Sequence, residues 1–225
     1  TLGRIIHFRG QVDEDYQADE NVPWSWRSRL ETGGLGVLGD LTCHLVSFAH
    51  FLVGDVVQVC ADIDTVHKMR LVPGSGEKRG VENEDIAHAM VRFDSGATGI
   101  LMASRAAHGR KNMIRVEVHG TKGMIAFDQE RMNELQLYVA DEPAAERGFK
   151  TILTGGLHPP YGMFTPAPGH QLGFNELKVI ECRHFVDCIE SDQEPYMNFA
   201  EGLKIEKIIH GIAASAASRS WLDVR

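Results

Sequence analysis

The chain has 225 residues, 43% hydrophobic and 24% charged, and its 31 acidic against 23 basic side chains give a formal net charge of −8. This length can bury a proper core, and the acidic balance excludes a non-specific electrostatic grip on nucleic acid. No apolar run approaches the roughly 20 residues of a membrane span, and the opening TLGRIIHFRG has no signal-peptide hydrophobic region.

In chain order, GRIIHFRGQV (3–12) reads as a strand, followed by a polar, Trp-bearing loop. Leu38, Leu41, Leu45, Phe48 and Leu52 recur at spacings of three and four and predict a helix over 37–53, with Gly54 as its stop. VVQVCADIDTVHKM (56–69) is rich in β-formers, and VPGSGEKRG (72–80) reads as a loop. DIAHAMVRF and ATGILMAS flank a DSG turn, and NMIRVEVHG and MIAF flank TKG, which predicts two hairpins. ELQLYVA and FKTIL are further strands. After a Gly/Pro-rich stretch (155–173), helices are expected over 174–190 and 199–219. Asn198 and Glu201 have capping-box spacing at the start of the second. SWLDV closes the chain as a short strand.

This order predicts an α+β fold in one domain spanning 1–225: a large, mostly antiparallel sheet with helices on one face. Because the chain opens inside a strand, the expectation is a fragment of a longer polypeptide. Cys43, Cys60, Cys182 and Cys188 lack C-x-x-C spacing, so the reading is a cytoplasmic protein with no metal site.

The stretch GGLGVLGDLTCH (33–44) admits two chemistries. Gly34, Gly36 and Gly39 spell G-x-G-x-x-G, the phosphate-cradling turn of a dinucleotide-binding fold. That turn must leave a buried strand, and the preceding WSWRSRLET is no run of apolar β-formers. The alternating βα units are missing as well. The glycines read better as a loop passing tightly against a helix N-terminus.

The second chemistry belongs to Asp40 and His44, at positions i and i+4 on one face of a largely apolar helix. Polar groups there are costly unless they are paired or line a cavity. A histidine with a carboxylate beside it suits taking a proton from an alcohol as hydride leaves its carbon. The competing reading is a histidine hydrogen-bonded in the core, with Asp40 as a cap-region carboxylate.

GGLGVLGDLTCHLVSFAHFLVG resembles the glycine-rich loop and D-x-x-x-H helix in the second domain of the Gfo/Idh/MocA oxidoreductases. GRIIHFRG, NEDIAHAMVRFDSGATGILMAS, VEVHGTKGMIAF and EGLKIEKIIHGIAASAASRSWLDV are similar, in order, to that domain's first strand, two hairpins and closing helix and strand. The resemblance implies that His44 is the acid/base and that Asp40 orients it and contacts substrate. It further implies a sugar, polyol or related alcohol substrate and NAD or NADP as cofactor. The cofactor would be bound mainly by an N-terminal Rossmann domain absent from this chain, which alone would be inactive. Family members often carry Asp three residues after the histidine, where this chain has Ser47, a neutral substrate-binding candidate.

Trp26 and Arg27, like Trp24 near the glycines, are candidates for stacking on a sugar ring and holding a hydroxyl or carboxylate, or else for anchoring the loop. His158, Tyr161 and His170 are candidate substrate ligands on the Gly/Pro-rich loop. The remaining histidines, His50 among them, read as core or surface residues. In the resembled family the open sheet face meets another subunit. Ala89, Val91 and Phe93, or Ile114, Val116 and Val118, are the expected contact surface of a homodimer or homotetramer. The alternative is a non-catalytic module that uses this fold for oligomerisation or ligand binding. A free-standing dinucleotide-binding domain rests on the glycines alone.

Overall fold

The computed structural model describes all 225 residues. Strand β1 (Ile5–Asp13) is followed by a 3₁₀ turn (Trp26–Ser28), a single helical turn α1 (Leu30–Gly33), a π-helical turn (Leu38–Thr42) and helix α2 (Cys43–Leu52). Strands β2 (Val56–Asp64), β3 (Met69–Leu71), β4 (Lys78–Gly80), β5 (Ile86–Phe93) and β6 (Thr98–Ser104) come next. The sheet continues with β7 (Met113–Gly120), β8 (Gly123–Asp128), β9 (Glu134–Val139) and β10 (Lys150–Leu153). Helices α3 (Phe174–Ser191) and α4 (Phe199–Ser218) precede the closing β11 (Leu222–Asp223).

Nine strands form one sheet in the order β10-β9-β8-β7-β1-β6-β5-β2-β11. Only β1 and β6 pair in parallel; every other neighbour is antiparallel. The expected hairpins β5–β6 and β7–β8 form, and β1 inserts between them. Its C-terminal end therefore opens at the middle of the sheet. The reading of 72–80 as a loop is corrected: β4 lies within it and pairs with β3 as a separate two-stranded ribbon. Three-residue strands carry too little periodicity to be seen in sequence.

Helix α4 packs across β2 and touches α2, and α2 lies over β1. Phe8, Val12, Leu45, Val46, Val59, Leu101, Ile208 and Ile212 are wholly or almost wholly buried between them. Gly10 makes the close approach possible, since a Cβ there would sit 3.2 Å from a Leu45 methyl. Gly54, with φ of 128°, ends α2 as expected. The segment Leu30–Leu52 does reach 23 residues at a mean hydropathy of 1.4, enough by length and composition for a span, but half of it is buried inside the domain. It is broken by Gly34 (φ 64°) and reads as core.

Two expectations are corrected by side-chain direction. Ala89, Val91, Phe93, Ile114, Val116 and Val118 belong to the core beneath the helices, not to the open face. The period of two then puts His88, Met90 and Arg92, and Arg115, Glu117 and His119, outward. At the start of α4, the Asn198 carboxamide accepts the Glu201 N–H at 2.9 Å, but the reciprocal half of the capping box is absent. The Glu201 carboxylate is engaged by His50 instead, at 2.6 Å. Truncating Ile212, which has no exposed surface, with Ile212→Ala is expected to cost about 2–5 kcal/mol, read from urea unfolding.

Candidate active site

The glycine-rich loop is shaped by a buried residue from the other side of the fold. A Cβ on Gly36 would lie 2.0 Å from the Glu84 carbonyl oxygen, so only glycine permits this contact. The Val37 N–H donates to that carbonyl and the Leu38 N–H to the Glu84 carboxylate, each at 2.9 Å. The carboxylate thus occupies the helix N-terminus, where an anion is favoured. Upstream lie a 3₁₀ turn and α1, not a strand. These amides do not fit a dinucleotide diphosphate: Val37 is already bonded to a carbonyl and Leu38 to a carboxylate, and no strand leads into the turn.

Beyond Leu38 the chain makes one π turn, closed by the Cys43 N–H to the Leu38 carbonyl. A π turn takes more residues than an α turn, which brings positions four apart nearly above one another. Asp40 and His44 both line a cavity of about 630 Å³ next to α2, together with Ser47. His44 is exposed and no hydrogen bond within the chain engages its ring, so it is not a core histidine. His50 takes that part, buried and bonded to Glu201. His50, Asp55 and Glu201 converge closely, but the Lys204 ammonium bonds both carboxylates at 3.2–3.4 Å and supplies the local cation.

The cavity also contains residues that sequence reasoning missed. Glu14, at the end of β1, borders it, as do Asn112 and Gln129 from the ends of the β7–β8 hairpin and Lys178 from α3. Burial, reinforced by the charges of Asp40 and Asp15, raises the Glu14 pKa. Phe51 meets Tyr196 edge-on at 5.2 Å between ring centres, and Met197 approaches the Ser47 hydroxyl at 3.7 Å, forming an aromatic and apolar rim. Tyr16 donates its hydroxyl to Asp40 Oδ2. None of these residues has a motif spacing; the fold alone gathers them.

Asp40 also borders a second, more polar cavity of about 310 Å³ containing Trp26, Arg27, Asn83 and Arg105. Arg27 lies over the Trp26 ring at 5.0 Å and 3.6 Å from Asp40 Oδ2. Trp24 is an anchor, with its indole N–H on the Gly80 carbonyl at 2.9 Å. His158, Tyr161 and His170 line neither cavity. Their loop turns on itself through Tyr161–Thr165 and His170–Ala167 bonds, while Asn133 ties its end at Leu172.

A half-covered nine-stranded sheet, with Asp40 and His44 in an open cavity bordered by Phe51, Tyr196 and Met197, defines an α+β domain. The chain belongs to the GFO/IDH/MocA C-terminal domain family, whose profile matches residues 1–126. A levoglucosan dehydrogenase of Pseudarthrobacter phenanthrenivorans is 38% identical across the whole chain, which covers 60% of that protein. The scyllo-inositol 2-dehydrogenase (NAD(+)) of Bacillus subtilis is 24% identical, again across the whole chain and 55% of its own length. A levoglucosan dehydrogenase structure in complex with NADH and L-sorbose superposes with a TM-score of 0.95 at 40% identity, covering 100% of this chain and 59% of the other. The chain thus spans somewhat over half the length of these relatives.

Gly36→Ala is expected to destabilise the protein by about 3 kcal/mol, because the clash is with backbone that cannot rotate away. A urea-unfolding midpoint equal to that of the parent would contradict this account of the loop.

Proposed function

We propose that this chain is the substrate-binding and acid/base domain of an NAD(P)-dependent oxidoreductase acting on a sugar, polyol or related alcohol. The observation that carries this reading is the placement of Asp40, His44 and Ser47 in one open cavity beside further polar side chains. Family membership supports the reaction class, and the relatives named for levoglucosan and scyllo-inositol support the substrate class. The glycine loop offers no diphosphate cradle, so the cofactor site is proposed to lie in polypeptide outside these residues. Exposed apolar side chains on α3, with Phe185 58% and Ile189 66% accessible, offer further polypeptide a surface.

When bound, a nicotinamide nucleotide supplies the hydride acceptor for alcohol oxidation. The chain's own residues handle the hydroxyl. His44, exposed in the cavity, takes the proton from the substrate oxygen as the carbon–hydrogen bond is lost, and returns it in the reverse direction. Asp40 orients the imidazole and accepts a substrate hydroxyl. Ser47 offers a neutral hydrogen bond one turn further along α2, and Arg27 and Trp26 hold the substrate from the second cavity. The outward sheet face, with Met90 and Ile100 exposed among Arg9, Arg92 and Arg115, is proposed to meet another copy. Sedimentation of the complete polypeptide is expected to give a dimer or tetramer, and a monodisperse monomer counts against that.

His44→Ala in the complete polypeptide is expected to lower kcat with levoglucosan or an inositol by about 10²–10⁴-fold. Affinity for NADH or NADPH should not change. Activity that survives this substitution would exclude His44 as the acid/base.

A further inference from the structure

Asp40 stands between the two cavities, and its oxygens are in unlike situations. Oδ2 accepts the Tyr16 hydroxyl and faces the Arg27 guanidinium at 3.6 Å, whereas no hydrogen bond within the chain engages Oδ1. Tyr16 is fixed from behind. Buried Arg70 donates to the carbonyls of Gln17, Asp19 and Val22 at 2.7–3.0 Å and so shapes the loop that begins at Tyr16. Arg105, whose charge also reaches the phenol, is locked by Asp85 and Asn83 at 2.8 Å each.

We infer that Tyr16 is a positioning residue for Asp40: its hydroxyl holds Oδ2 and reserves Oδ1 for His44 or a substrate hydroxyl. Charges of both signs surround Asp40. Glu14 faces it from the end of β1, and burial followed by the Asp40 charge raises the Glu14 pKa. Arg27 on the 3₁₀ turn and Arg105 after β6 bring positive charge near it, and Glu206 and His210 of α4 face it across the second cavity. Cys43 and His44 are its neighbours along the helix, and burial with the Asp40 charge nearby keeps the Cys43 thiol protonated. Burial and the bond to Asp40 raise the Tyr16 pKa far above its ordinary value, so the phenol remains a donor throughout the working pH range. It therefore does not serve as a base itself.

The value of holding Asp40 this way rests on the oxidoreductase reading; the effect on its titration does not. Tyr16→Phe in the complete polypeptide keeps the ring and removes only the donor. The Asp40 carboxyl midpoint, followed by carbon-13 NMR with labelled aspartate and assigned through Asp40→Asn, is expected to rise by about one pH unit. The acid limb of kcat/KM with levoglucosan or an inositol should rise with it, because less of the carboxylate is ionised at a given pH. Misplacement of Asp40 should also lower kcat roughly tenfold, with the KM for NAD(P) unmoved. A fluorinated tyrosine at position 16, a stronger donor of nearly the same size, is expected to lower the midpoint. An Asp40 midpoint unchanged in both proteins overturns the inference. Opposite shifts in a protein that oxidises no sugar or polyol uphold it and overturn the oxidoreductase reading instead.

Discussion

The site depends on the three buried polar residues that lead into β5. Asn83 donates to the Arg27 and Gly34 carbonyls, tying down the Trp-bearing turn and the glycine loop at once. Glu84 receives the first amides of the helical segment, and Asp85 pairs with Arg105 and accepts the Val66 N–H. All three are at most 5% exposed. A buried carboxylate that lost its partner would be costly, of the order of 3–5 kcal/mol, so these ties are mutually enforcing. The Trp-bearing turn, the glycine loop and Arg105, which border Asp40 on its second-cavity side, are all attached to this one run.

From that frame follows the position of Asp40 and His44. Gly36 lets the loop come against Glu84, the helix starts from that contact, and the π turn then sets Asp40 and His44 on the cavity side while Leu41 and Leu45 stay in the core. A polar pair on a mostly apolar helix is tolerable because it opens on a cavity instead of on packed side chains. The insertion of β1 between the two hairpins contributes from the other direction. It brings the end of that strand, with Glu14 and the loop to Tyr16, to the same place as the helix.

The short β3–β4 ribbon and the long Gly/Pro-rich loop show how differently two irregular segments serve the fold. The ribbon looks incidental, yet Arg70 on β3 and the Gly80 carbonyl on β4 hold the loop between β1 and the 3₁₀ turn. The loop over 155–173 has the composition of a site-lining segment, yet its bonds are mainly to itself, and its histidines stay in solvent. Composition does not distinguish these cases, because both depend on which distant carbonyls are within reach.

The sequence by itself determined the main helices and sheet strands, the α+β class, and the shared face of Asp40 and His44. Each of these follows from local periodicity, turn chemistry or a spacing of four residues. That no strand leads into the glycine turn was also legible, since the residues before Gly34 are no run of apolar β-formers. Only the tertiary structure decided which face of β5 and β7 is buried, because alternation marks two faces without saying which one the helices cover. It alone brought Glu14, Tyr16, Lys178 and Tyr196 to the site, from segments as far as 182 residues apart (14 to 196) in the chain. Such groups have no mutual spacing to read: their partnership is set by a parallel strand pairing and a buried polar frame, and both are properties of distance in space rather than along the chain.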